Sequence, residues 1–404
     1  MRKFGLLILL LIPVVVIGCR MNRSYPNEPV PKGSMETRHA WGQKKLGPSY
    51  IRTAQWLKSA KFARDSIGEV IATAPTGEPN SIAAYFTDGA MGNLTIEVKG
   101  QKGTGVFTAN NIHPDSTYPI GFHEGRWTVD GKTVEVHPSG LTIAAFNLPE
   151  NRIADATLRI SNAPPDRSIM HGVYKERAEA YADLGDYEKA VADMTQATKY
   201  MEEQGEQTIN VDADGEHKGW NHNNAEQFRE YLRQLALYQT FLGDFPGALN
   251  SIWRLENSAF FPDILGRESL RQFILMSKTD KQDRAAGQLR STMERSIQNG
   301  HRCWIPFARF LLGELTEEQF LDKIRNESAS FAHSDCGNRV GDRTLALALY
   351  YAAELHEISG DSDKANLLYQ QAIDANQWND SAFEMKIARW KTSKLTPPKT
   401  ATEK

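Results

Sequence analysis

The chain has 404 residues, with 47 basic side chains against 50 acidic ones and a formal net charge of −3. That length is enough for two domains or more, and a mixed, mildly acidic surface gives no electrostatic case for a nucleic-acid partner. Past the first twenty residues no apolar run approaches membrane-spanning length.

Arg2 and Lys3 form a short positive region, and residues 4–16 form an apolar run interrupted by Gly5 and Pro13. The run closes on Val16, Ile17, Gly18 and Cys19, and polar chain begins at Arg20. That order is a bacterial secretory signal. Its apolar core of about 13–15 residues is short for a membrane span, which needs roughly 20. The Val-Ile-Gly-Cys ending resembles the lipobox of bacterial lipoproteins. Cleavage before Cys19 would leave a thiol for diacylglycerol and an amine for acylation, tethering everything downstream to a membrane surface. The other reading is an uncleaved signal anchor. Either way the body is exported to the periplasmic face of the envelope. Arg20 stands where an aspartate often signals inner-membrane retention, which favours the outer membrane.

With Cys19 lipidated, Cys303 and Cys336 remain as an even pair in an oxidising compartment. Bonding them would close a segment of about 34 residues and add roughly 3–4 kcal/mol in the chain-entropy model. Two separate buried thiols are the alternative.

Residues 20–49 contain several prolines and show neither period 2 nor period 3.6. They read as a flexible tether with a reach of about 30 Å. From about Tyr50 the character changes. Trp56, Ala60, Ala63, Ile67, Val70 and Ala74 recur at three- and four-residue steps, as on an amphipathic helix, until Pro75, Gly77 and Pro79 end it. Leu94, Ile96 and Val98 then alternate with Thr95, Glu97 and Lys99, the pattern of a half-buried strand. A glycine turn at 100–103 leads into a strand at 104–109. Asp130 and Gly131 form a tight hairpin turn between Trp127, Val129 and Val134, Val136. Apolar stretches at 141–146 and 156–160 read as further strands. One helix and then a run of strands is an α+β pattern.

Three segments of this region carry a resemblance: residues 63–71 (ARDSIGEVI), 92–106 (GNLTIEVKGQKGTGV) and 125–136 (GRWTVDGKTVEV). Together they resemble the cytochrome c oxidase assembly factor 1 family. Its members carry a helix ending near an alanine-leucine/isoleucine-glycine-glutamate motif, then a strand, a Gly-x-Lys-Gly-x-Gly turn, another strand and a tryptophan-containing final hairpin. The match covers about 90 residues. It implies a membrane-anchored domain that assists maturation of a respiratory complex.

Beyond about Ile169 helix signals replace strand signals. Gly185, Gly243 and Gly360, each followed by aspartate, punctuate a shared grid. Alanines stand five residues later (Ala190, Ala248, Ala365), apolar residues nine later (Met194, Ile252, Tyr369), and Ala197, Leu255 and Ala372 twelve later. Ala178, Ala236 and Ala353 stand seven before. These are the small and large packing positions of the tetratricopeptide repeat, and the glycine supplies the left-handed conformation that ends each first helix. The glycines are 58 and 117 residues apart, so divergent helices must fill the intervals, with 277–297 one candidate. Repeats that stack to share a core make a curved solenoid.

No catalytic constellation emerges, so the chain reads as a non-enzyme without a cofactor. The 100–105 glycines lack a Gly-Lys-Ser/Thr ending and open a strand, which excludes a phosphate loop. Asn210, Asp212 and Asp214, followed by Gly215, match the first half of a calcium loop, but Asn221 takes the place of its bidentate glutamate. A polar inter-helix loop is the competing reading there. His217 and His222 lack a third ligand. The segment from Thr316 through Glu317 and Glu318 to Gln319 reads as a helix capping box. Tyr181, Gln239 and His356 share the position four before the repeat glycine and are the candidate partner-binding residues.

The expected architecture is therefore an α+β N-terminal domain, one helix packed on a small antiparallel sheet, followed by an all-α tetratricopeptide-like helical solenoid. The boundaries are a signal peptide at 1–19, a tether at 20–49, the α+β domain at 50–162, the repeat domain at 168–391 and a disordered tail at 392–404. The expected role is a lipid-anchored periplasmic scaffold that binds partner proteins through its repeats and assists assembly of an envelope complex. The alternative is an adaptor presenting substrates to an envelope protease or transport system.

Overall fold

The computed structural model describes residues 30–76, 82–85, 91–112, 118, 121–122, 124–162, 169–207, 209–212, 215–218, 222–257, 266–279, 281–299, 304–331, 341–376 and 383–395. The chain separates into two compact units at Asn151 and Arg152. No helix among the described residues is long and apolar enough to cross a membrane.

The first unit begins with two helices, α1 (Met35–Ser59) and α2 (Lys61–Ile67). Ser34 starts α1 by accepting a hydrogen bond from the Thr37 amide, as a serine N-cap does. Ala60, in an extended conformation, separates the two helices, so two helices and not one meet the sheet. Six antiparallel strands follow: β1 (Val70–Pro75), β2 (Ile82–Tyr85), β3 (Met91–Gly100), β4 (Thr104–Ile112), β5 (Glu124–Val129) and β6 (Lys132–Val136). The sheet order is β1-β3-β4-β5-β6, and β2 pairs with the remaining length of β3. Val70 and Ala74, read above as helical, lie in β1.

The strand expected from alternation at 94–98 is borne out. Leu94, Ile96 and Val98 face inward, opposite Ala109, Phe107 and Gly105 of β4. Asp130 and Gly131 adopt positive φ, 50° and 74°, as a tight two-residue hairpin demands. Trp56, Phe62, Phe107, Phe122 and Trp127 interlock between helices and sheet, with ring centroids 5.3–6.4 Å apart. The buried indoles find partners: Trp127 Nε1 donates to Ser66 Oγ at 2.9 Å, and Trp56 Nε1 to the Pro138 carbonyl at 2.8 Å.

Other expectations change as well. The helix reaches back to Met35 into the segment read as tether, because Arg38 bonds the Pro75 carbonyl and Glu97 while Leu46 and Tyr50 are fully buried. The apolar stretches at 141–146 and 156–160 are helical, in α3 (Ile143–Phe146) and α4 (Pro149–Ser161). Thr142 caps α3, and α4 spaces its apolar residues at helical steps. β7 (Ile209–Asp212) and β8 (Gly215–Lys218) pair as antiparallel strands in a stretch read as a polar loop.

The second unit is a series of helical hairpins. α5 (Met170–Asp183) pairs with α6 (Tyr187–Gln207), α7 (His222–Leu242) with α8 (Phe245–Asn257), and α9 (Arg267–Ser277) with α10 (Gln282–Gln298). α11 (Ile305–Leu311) then pairs with α12 (Glu317–Phe331), and α13 (Gly341–Ile358) with α14 (Ser362–Ala375). α15 (Phe383–Leu395) ends the described chain, and residues 392–395, expected in a disordered tail, are its last helical residues. Gly185, Gly243 and Gly360 have positive φ of 77°, 83° and 86°. All twelve grid residues around them are at most 2 % exposed. The long interval between the second and third glycines holds two further hairpins, one of which turns at Gly313 with φ of 75°.

Gly100 marks one of the tightest approaches in the first unit. Its missing side chain lets the 100–103 turn dock on the end of α2, where a Cβ would come within 2.3 Å of the Ile67 carbonyl oxygen. A Cβ at Gly103 would make an ordinary 3.8 Å contact. Gly100→Ala is therefore expected to destabilise this unit by about 1–3 kcal/mol, and Gly103→Ala to be near neutral. Urea unfolding followed by tryptophan fluorescence separates the two, and equal effects would refute the docking.

Candidate functional site

The most unusual chemistry among the described residues lies inside the second unit, where α15 packs on α14, α13 and α7. Two groups of buried charges hold it there. In the first, Arg271 of α9 reaches Glu384 of α15, with Nη2 2.8 Å and Nε 2.9 Å from Oε1. Tyr351 of α13 donates to the same oxygen at 3.3 Å. Glu384 is fully buried and the Arg271 side chain is 6 % exposed. Arg271 also lies over the Phe383 ring and beside Glu268, which Arg233 of α7 approaches at 3.3 Å. Burial works against charge on Glu268, but Arg271 and Arg233 outweigh it and hold the carboxyl below its usual range.

The second group joins Lys278 of α9, Glu354 and Glu357 of α13, Tyr369 of α14 and Lys391 of α15. Lys278 Nζ lies 2.5 Å from Glu354 and 2.9 Å from Glu357, and Lys391 Nζ reaches Glu357 and lies 3.7 Å from Glu354. Tyr369 donates to Glu357 at 3.0 Å. Glu354 is 1 % exposed. Burial alone would raise its pKa, yet Lys278 and Lys391 hold it down at about 2. Burial pulls the Lys391 ammonium below the ordinary lysine value, against the attraction of Glu354. Two lysines balance two glutamates, so the group is neutral as a set and intolerant of losing one member.

A cavity of about 390 Å³ opens beside this group. It lies between the α7–α8 turn, the first turns of α14, and Trp390, Lys391 and Lys394 of α15. Phe241 and Trp390 form part of its wall, with ring centroids 5.0 Å apart.

Tyr181, Gln239 and His356 stand at one position in three different hairpins. Their common feature is a backbone one. Each carbonyl accepts the amide of the aspartate after the glycine, at 2.9, 2.8 and 2.8 Å, closing the left-handed helix terminus. Their side chains serve local ends. Gln239 is buried and accepts from Ser251 at 2.8 Å, His356 pairs with Glu317 at 2.7 Å, and Tyr181 lies under Lys189. The capping box is present as expected, with Gln319 N donating to Thr316 Oγ1 and Thr316 N to Gln319 Oε1.

Asn210 and Asp212 lie in β7, in register with His217 and Gly215 of β8. The described part of the candidate loop is paired as strands, and residues 213–214 and 219–221 lie outside the described residues. Asp214 lies outside the described residues, as do Cys19, Cys303 and Cys336. Among the described residues no group of three or more histidine, cysteine, aspartate or glutamate side chains could hold a metal ion. The charged interior was invisible to sequence reasoning, since Arg271 and Glu384 are 113 residues apart. A glutamate recurring inside apolar helical stretches, as at Glu354, was the available signal. No protein-family model matches the chain, and no curated protein matches it.

Breaking one buried pair should cost more than removing it whole. Glu384→Gln is expected to lower stability by about 3–5 kcal/mol, while Arg271→Met combined with Glu384→Leu is expected to recover most of the loss. Denaturant unfolding of the three proteins checks this, and a double variant as weak as the single would overturn it. Glu354 sets an acid limit. Its folded pKa lies below its ordinary value of 4.5, so its contribution is complete above that pH and fades as pH falls toward about 2. Glu354→Gln should be less stable at neutral pH and show a shallower loss of stability across that window.

Proposed function

We propose that this chain is an exported, lipid-anchored scaffold of the bacterial envelope. Its helical unit would be a tetratricopeptide-like repeat domain that binds partner proteins. The observation that carries this reading is the repeated grid: alanines at the helix crossings and larger residues between them, buried alike around Gly185, Gly243 and Gly360. Small residues at crossings let successive hairpins stack into an extended surface, the property that makes helical repeats binding scaffolds.

Because α15 packs on α7, α13 and α14, partners in this reading bind at the turns and outer helix faces. Apolar side chains stand exposed there: Leu184 at 49 %, Leu242 at 43 % and Leu367 at 53 %. The first unit supports a role in assembly of a respiratory or other envelope complex. Its motif segments converge in space, with Ile67 against Gly100 and Trp127 against Gly105. These are the segments that resemble the oxidase assembly factor family. Residues 1–19 supply the leader and Cys19 the lipidation site in this reading.

Two measurements test it. Labelled palmitate should enter the wild-type chain and not Cys19→Ser, which should leave the membrane fraction. Equal labelling of both would remove the anchor. A photo-crosslinking residue placed at Leu184 or Leu367 in the native host should give discrete adducts, while one at exposed Lys199 gives far fewer. Uniformly absent adducts at all three would remove the scaffold.

A further inference from the structure

The cavity beside α15 has the character of a ligand site. Phe241 and Phe245 supply one part of its wall, Tyr369 another and Trp390 a third. Its volume of about 390 Å³ falls among pockets that enclose a small organic molecule, and such pockets combine apolar walls with a few polar groups.

Charge decides which molecule. Glu357 lines the cavity, but Lys278, Lys391 and Tyr369 already satisfy it, and Lys391 is spent on the same carboxylate and on Glu354. Lys394 is different. It is exposed, its ammonium sits 3.9 Å from the Trp390 ring centroid, and no described carboxylate pairs with it. Three cations of the chain already lie over rings of this region: Lys278 over Phe245, Lys391 over Tyr369 and Lys394 over Trp390. A cationic ligand would meet ammonium groups where it needs open ring faces. A strongly hydrated inorganic anion would gain little from the aromatic walls.

We propose that the cavity binds a small apolar acid, a hydrocarbon ring or chain carrying one carboxylate. Its body lies against Phe241, Phe245 and Trp390, and its carboxylate faces Lys394, with Ser362 and Asn366 of α14 available as donors. Such a ligand touches the α7–α8 turn, α14 and α15 together. It therefore binds only while α15 is seated, and it stabilises that arrangement by mass action.

The full mature chain, titrated with indole-3-acetate and with octanoate as probes, tests the site. Tryptamine and octylamine carry similar bodies with the opposite charge. Tryptophan fluorescence and calorimetry should show the acids binding with Kd below about 1 mM, and the amines at least about tenfold weaker. Bound acid should raise the thermal midpoint. Lys394→Glu should weaken the acids by about tenfold or more. Ser362→Phe, a plug from an exposed position on the wall, should abolish binding while far-UV circular dichroism stays unchanged. Should that variant misfold, Lys394→Glu decides alone. Amines binding as well as acids, acids indifferent to Lys394→Glu, or no acid bound at about 10 mM would each overturn the proposal.

Discussion

Two carboxylates, Glu354 and Glu384, are removed from water and need cations that other helices must bring. An unpaired buried charge costs several kcal/mol, far more than a surface ion pair returns. Glu384 sits on α15 and finds Arg271 on α9, while Glu354 sits on α13 and finds Lys278 on α9 and Lys391 on α15. α15 thus delivers one buried anion and one buried cation at once, seven residues apart, about two turns along one face. Apolar contact alone would tolerate a slide or rotation of this helix. The paired charges do not, because a displaced α15 would strand charge on both neighbours.

That requirement shapes what the helical unit offers to other molecules. α15 packs on α7, α13 and α14 and covers the parts of their surfaces that it meets. Leu184 and Leu242 stand exposed beside left-handed glycines at the turns, and a cavity opens against α15 itself. This helix builds the cavity wall with Trp390 and its rim with Lys394. Ligand occupancy and the seating of α15 are therefore coupled through one element.

The first unit rests on a different device, close approach permitted by missing side chains. A Cβ at Gly105 would overlap the Trp127 ring at 2.3 Å, and one at Gly100 would strike the end of α2. The tryptophan then reaches Ser66 with its indole N–H, so sheet and helix are locked by one hydrogen bond inside an aromatic cluster. Glycines at 100 and 105 serve packing, whereas Gly131 serves the hairpin's backbone conformation.

Local periodicity and turn chemistry were legible along the chain. Alternation at 94–98, the Asp130-Gly131 hairpin, the Thr316 capping box and the three glycine turns depend on residues a few positions apart, so each carries its own signature. The segment 277–297 reads as a divergent helix and 316–319 as a helix cap, but the hairpins α9–α10 and α11–α12 fall off the repeat grid for local reasons. The first turns without a glycine at Lys278, and the second sets three residues between Gly313 and the start of α12 instead of one, which shifts its grid. The strands expected at 141–146 and 156–160 are short apolar runs, which periodicity cannot assign between helix and strand. Tertiary structure alone decided that α15 packs on α7, α13 and α14, that Arg271 meets Glu384, and that the carbonyls of Tyr181, Gln239 and His356 close helix ends. Those outcomes rest on pairing between charges distant in sequence and on desolvation, and neither leaves a periodic trace in the order of residues.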